Sequence, residues 1–193
     1  MKKVELFNVW FDALTTQETV QLVEKKIREK VGIHLLGVNA DKINEVKYDP
    51  KLKKIVADAD ITNADGASVV LASKILGKPL PERVAGIDLM QELLRAADQK
   101  GYSVYFLGAK EAVVRKMVTI LRRRYQKLKI TGYRDGYFSK AEWPRIAEKL
   151  AQLKPDIVFI GITSPTKEYL IDYLLSANYK FNPNKPGIFQ WQS

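Results

Sequence analysis

A carboxylate and an arginine, Asp65 and Arg83, are the residues whose types and spacing point most directly to chemistry. Asp65 lies in the run Asn63-Ala-Asp-Gly66 at the predicted end of a short strand, and Arg83 follows in a loop rich in proline and glycine. A carboxylate can act as a general base, and a guanidinium matches the geometry of a phosphate group. Asp-Gly alone is typical of a tight turn, and Arg83 could instead pair with a neighbouring carboxylate. Both interpretations of each residue remain open.

Three further junctions between a strand and a helix carry residues suited to ligand binding. Asn39 could cap the helix that follows it, or its amide could fix a hydroxyl group of a ligand. Gly108 and Gly161 could be close-packing turns, or they could let the backbone approach a ligand beside a helix N-terminus. Leu107-Gly108-Ala109 lacks the full dinucleotide fingerprint, so a dinucleotide site is unsupported. Since ligands of parallel sheets bind beyond the carboxyl ends of strands, we expect these residues and Asp65 to border one crevice.

Other residues of catalytic type have weaker positions. Asp58 and Asp60 form the D-x-D pattern that binds metal in many sugar-nucleotide enzymes, but they precede a strand and should lie at the edge opposite the crevice. No other group of side chains has ligand spacing, so we expect neither a metal nor another cofactor. His34 is the only histidine and is interpreted as a packed side chain of an apolar strand.

An aromatic cluster and a basic cluster each allow two interpretations. Tyr133, Tyr137 and Phe138 surround Asp135-Gly136, either as core or turn packing or as an aromatic face on which the planar group of a ligand could stack. Residues 122–124 are three consecutive arginines. They indicate either the solvated end of a helix or a contact with lipid or nucleic acid.

The hydrophobic pattern predicts the elements that must position these residues. Strands alternate with helices, which implies an α/β, Rossmann-like sandwich with a mainly parallel sheet flanked by helices. Thr15 and Glu18 have capping-box spacing at the start of a first helix, which ends near Gly32 and carries Val20, Val23, Ile27 and Val31. The predicted strands are residues 33–38, 60–63, 102–107, 128–131 and 156–160. The later predicted helices are parts of 41–57, then 66–76, 87–100 with Gly101 as its cap, 109–125, 139–153 and 165–176. The predicted inward residues of helix 109–125 are Val113, Val114, Met117, Ile120 and Leu121.

Composition limits the classes of protein that fit. The 193 residues predict a single domain, with a tail over 178–193 for which no element is predicted. A net charge of +10 favours acidic partners. The absence of cysteine excludes disulfides and thiolate ligands. We see neither an apolar run of ~20 residues nor a signal peptide, and therefore expect a cytoplasmic protein.

Several motifs together resemble the WecG/TagA/CpsF glycosyltransferases over about residues 4 to 175. The most specific is the Pro-Glu-Arg-Val-Ala-Gly segment, residues 81–86. The weaker matches follow in the family's order: Gly37-Val-Asn39-Ala, Asn63-Ala-Asp-Gly66, Tyr105-Phe-Leu-Gly108-Ala, Gly132-Tyr-Arg-Asp-Gly-Tyr-Phe138 and Gly161-Ile-Thr-Ser-Pro165-Thr-Lys-Glu168.

The resemblance implies an inverting, metal-independent transferase of cell-wall or surface polysaccharide synthesis, such as that of teichoic acid. It would move an N-acetylhexosamine, typically N-acetylmannosamine, from a UDP-sugar to a polyprenyl-diphosphate-linked sugar. Asp65 would be the catalytic base. The substrate-binding residues implied are Asn39, Asn63, Gly66, Arg83, Gly86, Asp88, Gly108, Tyr137, Gly161, Pro165 and Lys167.

Three departures from the family pattern stand out. Gly37 replaces a common threonine, and Lys167 replaces a glutamine. The chain ends at Ser193 without the family's Gly-Gly-x-Phe-Asp segment and basic C-terminal appendage, which is associated with membrane engagement and with closing the site. We therefore expect UDP binding with slow transfer by this form of the chain.

The expected partners are a UDP-N-acetylhexosamine donor, a lipid-linked acceptor and an anionic membrane surface, with the protein at the cytoplasmic face. A homo-oligomer is compatible with the sequence, and a nucleic acid is not the expected partner. The alternative hypothesis is a non-catalytic nucleotide- or nucleic-acid-binding α/β module, motivated by the basic charge. A polyanion binder would lose affinity steeply with salt, whereas a UDP pocket would discriminate between bases.

Overall fold

A six-stranded sheet runs through the computed structural model, which describes residues 2–177 and 187–190. Every neighbouring pair of strands in this sheet is parallel. Two further strands near the N-terminus form a separate antiparallel hairpin that the sequence pattern did not predict. The expected Rossmann-like α/β class with a mainly parallel sheet is confirmed.

The described strands are β1 (Lys3–Leu6), β2 (Val9–Asp12), β3 (His34–Val38), β4 (Ile61–Ala64), β5 (Ser103–Gly108), β6 (Lys129–Arg134), β7 (Ile157–Gly161) and β8 (Gly187–Gln190). The order in the six-stranded sheet is β4-β3-β8-β7-β5-β6, and β1 pairs with β2 in the hairpin. The strands β3 to β7 lie close to their predicted positions. The described helices are α1 (Thr16–Arg28), α2 (Ala40–Tyr48), α3 (Pro50–Ala57), α4 (Ala67–Ile75), α5 (Gly86–Lys100), α6 (Glu111–Arg124), α7 (Trp143–Leu153, after a 3₁₀ turn at Lys140–Glu142) and α8 (Thr166–Ala177).

Alternation along the strands divides the apolar residues between two faces of the sheet. Phe106 and Phe159 stack with ring centroids 5.4 Å apart and join the core under α1, α5 and α6. Leu107 and Ile160 point to the other face, against α7 and α8. A third cluster joins α2, α3, α4 and the hairpin to β3 and β4. Because both faces are covered, the inner strands β5 and β7 are apolar almost throughout.

Local signals set several helix ends as predicted. The Thr15–Glu18 capping box begins α1, and Gly101 ends α5 with a φ of +73°. Asp49 accepts a hydrogen bond from the Leu52 N–H and caps α3, which separates it from α2. The predicted break near Pro50 is therefore confirmed.

Two assignments on helices were wrong. Val31 lies beyond α1, which ends at Arg28, and 45% of Val31 is exposed. Val113 and Ile120 of α6 are 53% and 52% exposed, whereas Val114, Val118 and Leu121 face the core. The buried stripe of α6 is therefore narrower than its apolar composition suggested.

The sequence predicted no helix or strand in the tail over residues 178–193. Of these, residues 178–186 and 191–193 lie outside the described residues. The strand β8 within it was not predicted. A single domain over 1–193 therefore stays a prediction. No helix in the described part of the chain has the length and apolar character to span a membrane.

Candidate active site

Four of the predicted site residues lie at one edge of the sheet. Asn39 follows β3, Asp65 follows β4, and Gly108 and Gly161 are the last residues of β5 and β7. Val38 is in register with Ala64, and Gly108 with Gly161. The structure therefore brings these residues to the carboxyl edge, where parallel sheets bind ligands.

Asp65 is held at this edge by backbone groups on both sides. Its own N–H donates to the Val38 carbonyl at 3.0 Å, and its carboxylate accepts a hydrogen bond from the Gly86 N–H. Only 8% of the side chain is exposed. Burial raises the pKa of Asp65, although the Gly86 hydrogen bond and the charges of Arg83 and Lys167 oppose the rise. A raised pKa makes a carboxylate a better proton acceptor.

Two cations and a second carboxylate surround Asp65. Arg83 Nη2 lies 3.8 Å from Asp65 Oδ1, while 53% of the arginine side chain remains exposed. Lys167 is only 2% exposed, and burial lowers its pKa, assisted by the charge of Lys42 and opposed by Glu168 and Asp65. Asp88 lies exposed in the first turn of α5. We call Asp65, Arg83, Asp88 and Lys167 the charged half of the site.

The departure at Gly37 has a steric consequence. A Cβ atom at this position would lie 3.1 Å from Asp65 Cβ and 3.2 Å from Oδ2. The threonine common in the family would therefore require the Asp65 side chain to move. In this chain, Gly37 leaves room for the present position of the carboxylate.

The two asparagines of the site have different surroundings. Asn39 Oδ1 accepts the Lys42 N–H at 2.9 Å, so the capping interpretation holds for that oxygen. Asn63 is 1% exposed and donates from Nδ2 to Thr19 Oγ1 of α1 at 3.3 Å. Its side chain therefore points into the packing between β4 and α1, and the structure does not bring it to the crevice surface.

A buried ion pair beneath the charged half was not predicted. Lys42 Nζ lies 2.6 Å from Glu168 Oε1 and donates to Ser164 Oγ at 2.5 Å. The Lys42 and Glu168 side chains are 1% and 0% exposed. Within the described residues, Glu168 Oε2 is buried without a hydrogen-bond partner. Glu168 belongs to the motif of Pro165 and Lys167, but no sequence signal distinguished Lys42 from a surface lysine.

Glycines shape the other side of the site. Gly108 has a φ of +124°, and a Cβ there would lie 2.3 Å from the Gly161 carbonyl oxygen. The Ala109 N–H donates to that oxygen at 2.8 Å, and the Gly136 N–H donates to the Ala109 carbonyl at 2.9 Å. The backbones of β5, β7 and the loop after β6 therefore approach more closely than side chains would permit.

This approach leaves a cavity of about 510 Å³ beside the glycines. Its lining residues are Ala109, Gly136, Tyr137, Phe138, Ser139, Glu142, Gly161, Ile162 and Thr163. Tyr137 is 71% exposed, while Phe138 lies under the guanidinium of Arg134 at 5.2 Å. We call Gly108, Gly136, Gly161 and this cavity the glycine half.

The aromatic cluster is therefore split between its two interpretations. Tyr133 and Phe138 pack against the cores, and Tyr137 presents an exposed ring at the cavity. This ring has the exposure that stacking on a base requires.

The loop between β7 and α8 connects the two halves. Its first residues, Ile162 and Thr163, line the cavity together with Gly161 at the end of β7, and Ser164 accepts a hydrogen bond from Lys42 Nζ. Pro165 follows a cis peptide bond, and Lys167 lies in the first turn of α8. Gly66 and Gly86 stand at the starts of α4 and α5, close to Asp65. The described site thus has two parts, the charged half and the glycine half, and the loop between β7 and α8 joins them.

Asp58, Asp60 and His34, which the sequence analysis did not favour as site residues, lie outside the candidate active site. Asp60 accepts the His34 N–H at 2.7 Å at the amino edge of the sheet, and Asp58 pairs with Lys54. His34 is 3% exposed, and burial lowers its pKa to about 4. No group of three or more carboxylate, histidine or cysteine side chains in the described ranges is placed to hold a metal ion.

The parallel α/β sheet, with a carboxylate, two cations and a glycine-shaped cavity at its carboxyl edge, places the protein in the class of α/β proteins that bind ligands at that edge. Comparison with known families is more specific. The sequence profile of the glycosyl transferase WecG/TagA/CpsF family matches residues 4–181, so the chain belongs to this family.

Three curated relatives align with this chain over 145 to 168 residues. The chain is 34% identical over 154 residues to an N-acetylglucosaminyldiphosphoundecaprenol N-acetyl-beta-D-mannosaminyltransferase of Bacillus spizizenii, a match that covers 80% of this chain and 57% of the relative. A protein of that name from Bacillus subtilis is 30% identical over 75% of this chain and 56% of the relative. A third, from Staphylococcus aureus, is 28% identical over 86% and 65%. The chain thus spans well under two thirds of the first two relatives.

Proposed function

We propose that this protein transfers an N-acetylhexosamine, N-acetylmannosamine in particular, from a UDP-sugar to a polyprenyl-diphosphate-linked sugar. Family membership and the names of the relatives support the sugar and the lipid-linked acceptor. The same names favour this proposal over a non-catalytic binding module. The observation that carries the proposal is the buried Asp65 carboxylate, with a raised pKa, beside two cations at the carboxyl edge of the sheet.

The proposed reaction is a single displacement with inversion at the anomeric carbon. Asp65 takes the proton of the acceptor hydroxyl as that oxygen bonds to the anomeric carbon of the donor. The bond from this carbon to the diphosphate oxygen breaks, and UDP leaves with its electron pair. One base suffices, because no covalent sugar–enzyme intermediate forms.

The two halves have separate tasks in this reaction. Arg83 and Lys167 stabilise the negative charge that develops on the leaving diphosphate. The glycine half accommodates the nucleoside, with Tyr137 beside the base. General-base assistance is worth ~10²–10⁴-fold, so the cations must supply a comparable share of the rate enhancement.

Ligand binding and transfer can be tested on the chain as it stands. UDP should raise the melting temperature more than CDP or ADP at equal concentration, since ligands of the native state stabilise it by mass action. Transfer to a diphosphate-linked N-acetylglucosamine acceptor should follow with UDP-N-acetylmannosamine. Equal shifts with all nucleotides, together with no sugar transfer, would contradict the proposal and support the binding module.

The proposed reaction uses no metal, because cationic side chains take the position of a metal beside the diphosphate. UDP affinity should be the same in magnesium and in EDTA. A reversible loss of affinity on chelation would contradict this part of the proposal.

A further inference from the structure

The helix α4 and the hairpin expose a group of large apolar side chains on one side of the molecule. Leu71, Ile75 and Leu76 are 61%, 76% and 53% exposed, and Trp10 and Phe7 of the hairpin are 54% and 46% exposed. We call these five residues the α4–hairpin face. Single exposed apolar residues are normal on a protein surface, whereas a group of them is typical of an interaction surface.

Two grooves lie between the hairpin and the segment that contains α4. Trp10 lines one groove together with Gly77, Lys78 and Pro79, just beyond α4. Phe7 lines a second groove with Ser68 and Ala72 of α4 and with residues of α2. Lys78 Nζ donates to the Glu5 carbonyl at 3.2 Å and ties the end of α4 to the hairpin.

Lysines border the face. Lys2 and Lys78 line the groove of Trp10, Lys47 lines the groove of Phe7, and Lys74 lies between Leu71 and Ile75 in α4. None of these four lysines forms an ion pair with a residue in the described ranges. Glu5, which is in register with Trp10, is the acid that lines the groove of Trp10. The charge of the face is therefore strongly positive.

The face begins at the edge of the candidate active site. The groove of Phe7 starts at Ala40 and Ser68, which follow Asn39 by one residue and Asp65 by three. A surface resting on this face would lie beside the charged half. A lipid-linked acceptor would reach the site from this position. The reason for such a docking surface therefore rests on the proposed function.

We propose that the α4–hairpin face docks on an anionic lipid bilayer. A tryptophan beside apolar side chains suits the boundary between headgroups and acyl chains, and the bordering lysines attract anionic headgroups. The face would hold the protein with α4 along the membrane surface and the opening beside Asp65 within reach of a lipid-linked sugar. The inserted groups are Trp10, Leu71, Ile75 and Leu76.

Vesicle flotation tests this proposal without donor or acceptor. The protein should float with vesicles of phosphatidylglycerol and phosphatidylcholine in equal parts, and much less with pure phosphatidylcholine. Leu71→Ser/Ile75→Ser should reduce the bound fraction by ~10-fold or more, because two inserted apolar groups are lost. Lys74→Glu/Lys78→Glu should have a similar effect, which should be largest at low salt.

The helix α6 offers a matched control. Val113→Ser/Ile120→Ser removes two side chains that are about half exposed on a helix that also ends in arginines. This variant should float like the unmodified protein. Circular dichroism confirms folding of each variant, and UDP binding is measured separately, so failure of the proposed function would leave the vesicle result interpretable.

Three outcomes would overturn the proposal. The α4 variants could bind vesicles as well as the unmodified protein, or the α6 control could lose binding equally. Sedimentation velocity without vesicles gives the third: if the α4 changes convert a dimer to a monomer while vesicle binding persists, the face is a contact between two copies of the chain.

Discussion

The charged half and the glycine half of the crevice are built in different ways. The charged half consists of side chains: Asp65 is fixed by the Gly86 N–H, and Arg83 reaches it from a loop. The glycine half consists of backbone, where Gly108 and Gly161 approach so closely that a Cβ at Gly108 would lie 2.3 Å from a carbonyl oxygen. The first arrangement suits charge and proton transfer, and the second suits enclosure of a planar or flexible ligand.

The difference predicts different consequences of mutation. Changes in the charged half should alter turnover or phosphate affinity while the fold persists. Changes in the glycine half should mainly lower the free energy of unfolding, because the closely packed backbones there leave no space for an added side chain. The predictions below test this division, from the largest expected effect to the smallest.

Asp65→Asn should have the largest effect. Transfer should fall by ~10²–10⁴-fold because the proton acceptor is lost, while UDP affinity should change by no more than about threefold, a free-energy difference of ~0.6 kcal/mol. Turnover and calorimetric UDP titration measure the two quantities. Asp41→Asn, an equal change at the exposed start of α2, serves as the control.

The stability of the same variant gives a second check. Burial raises the pKa of Asp65, so the ionised form is disfavoured in the folded state. The stability that this group contributes is present below its unfolded pKa and is lost as pH rises through the folded pKa. At neutral pH, Asp65→Asn should therefore melt no lower than the unmodified protein. A clearly lower melting temperature would show that Asp65 is a structural residue.

Gly108→Ala should have the next largest effect, on stability. The φ of +124° and the contact with Gly161 predict a loss of ~3 kcal/mol or more in the free energy of unfolding. Gly77→Ala is the control, since its φ is +67° but nothing lies within 4 Å; it should lose only ~1 kcal/mol. Equal losses in urea unfolding would show that the close backbone approach is not what makes position 108 sensitive.

Arg83→Ala should follow, with an effect on phosphate recognition. UDP binding should weaken by ~1.5–3 kcal/mol, as for a hydrogen bond to a charged group, whereas uridine binding should change little. Arg95→Ala removes an arginine of similar exposure from α5, where it pairs with Glu92, and should affect neither ligand. If Arg83→Ala weakens UDP and uridine equally, Arg83 does not contact the diphosphate.

Lys167→Gln should have the smallest effect and would restore the residue type common in the family. Burial of the ammonium is relieved, so the melting temperature should rise by roughly 2–4 °C per kcal/mol gained. UDP affinity should fall by ~1 kcal/mol, since one of two cations is lost. Lys149→Gln, an exposed change on α7, is the control. A gain in UDP affinity would contradict a role of Lys167 at the diphosphate.

Local sequence signals predicted much of the fold. The Thr15–Glu18 box, the Asp49-Pro50 break and the cap at Gly101 depend on interactions within one turn, and each is visible in the sequence. The α6 face was mispredicted because Val113 and Ile120 are apolar but about half exposed, so their residue types alone did not give their burial. The hairpin β1-β2 was missed because its strands are only four residues long.

Only part of the candidate active site could be predicted from the sequence. The carboxyl ends of strands could be predicted from order along the chain, and this placed Asp65, Asn39 and the glycines at one edge. The side-chain direction of Asn63 and the pairing of Lys42 with Glu168 depend on contacts between residues 44 and 126 positions apart. Such contacts leave no periodic or spacing signal in a single sequence.

The pH dependence of kcat/KM for transfer tests the central claim, that Asp65 accepts the proton. Because burial raises its pKa, log kcat/KM should rise with pH through a pKa above ~3.9, the ordinary aspartate value. Circular dichroism must confirm folding at each pH, because His34, with its pKa lowered to about 4, contributes stability above pH ~6.5 that is lost as pH falls toward that value. The account predicts that this acidic limb disappears from the residual activity of Asp65→Asn. An unchanged limb in that variant would contradict it.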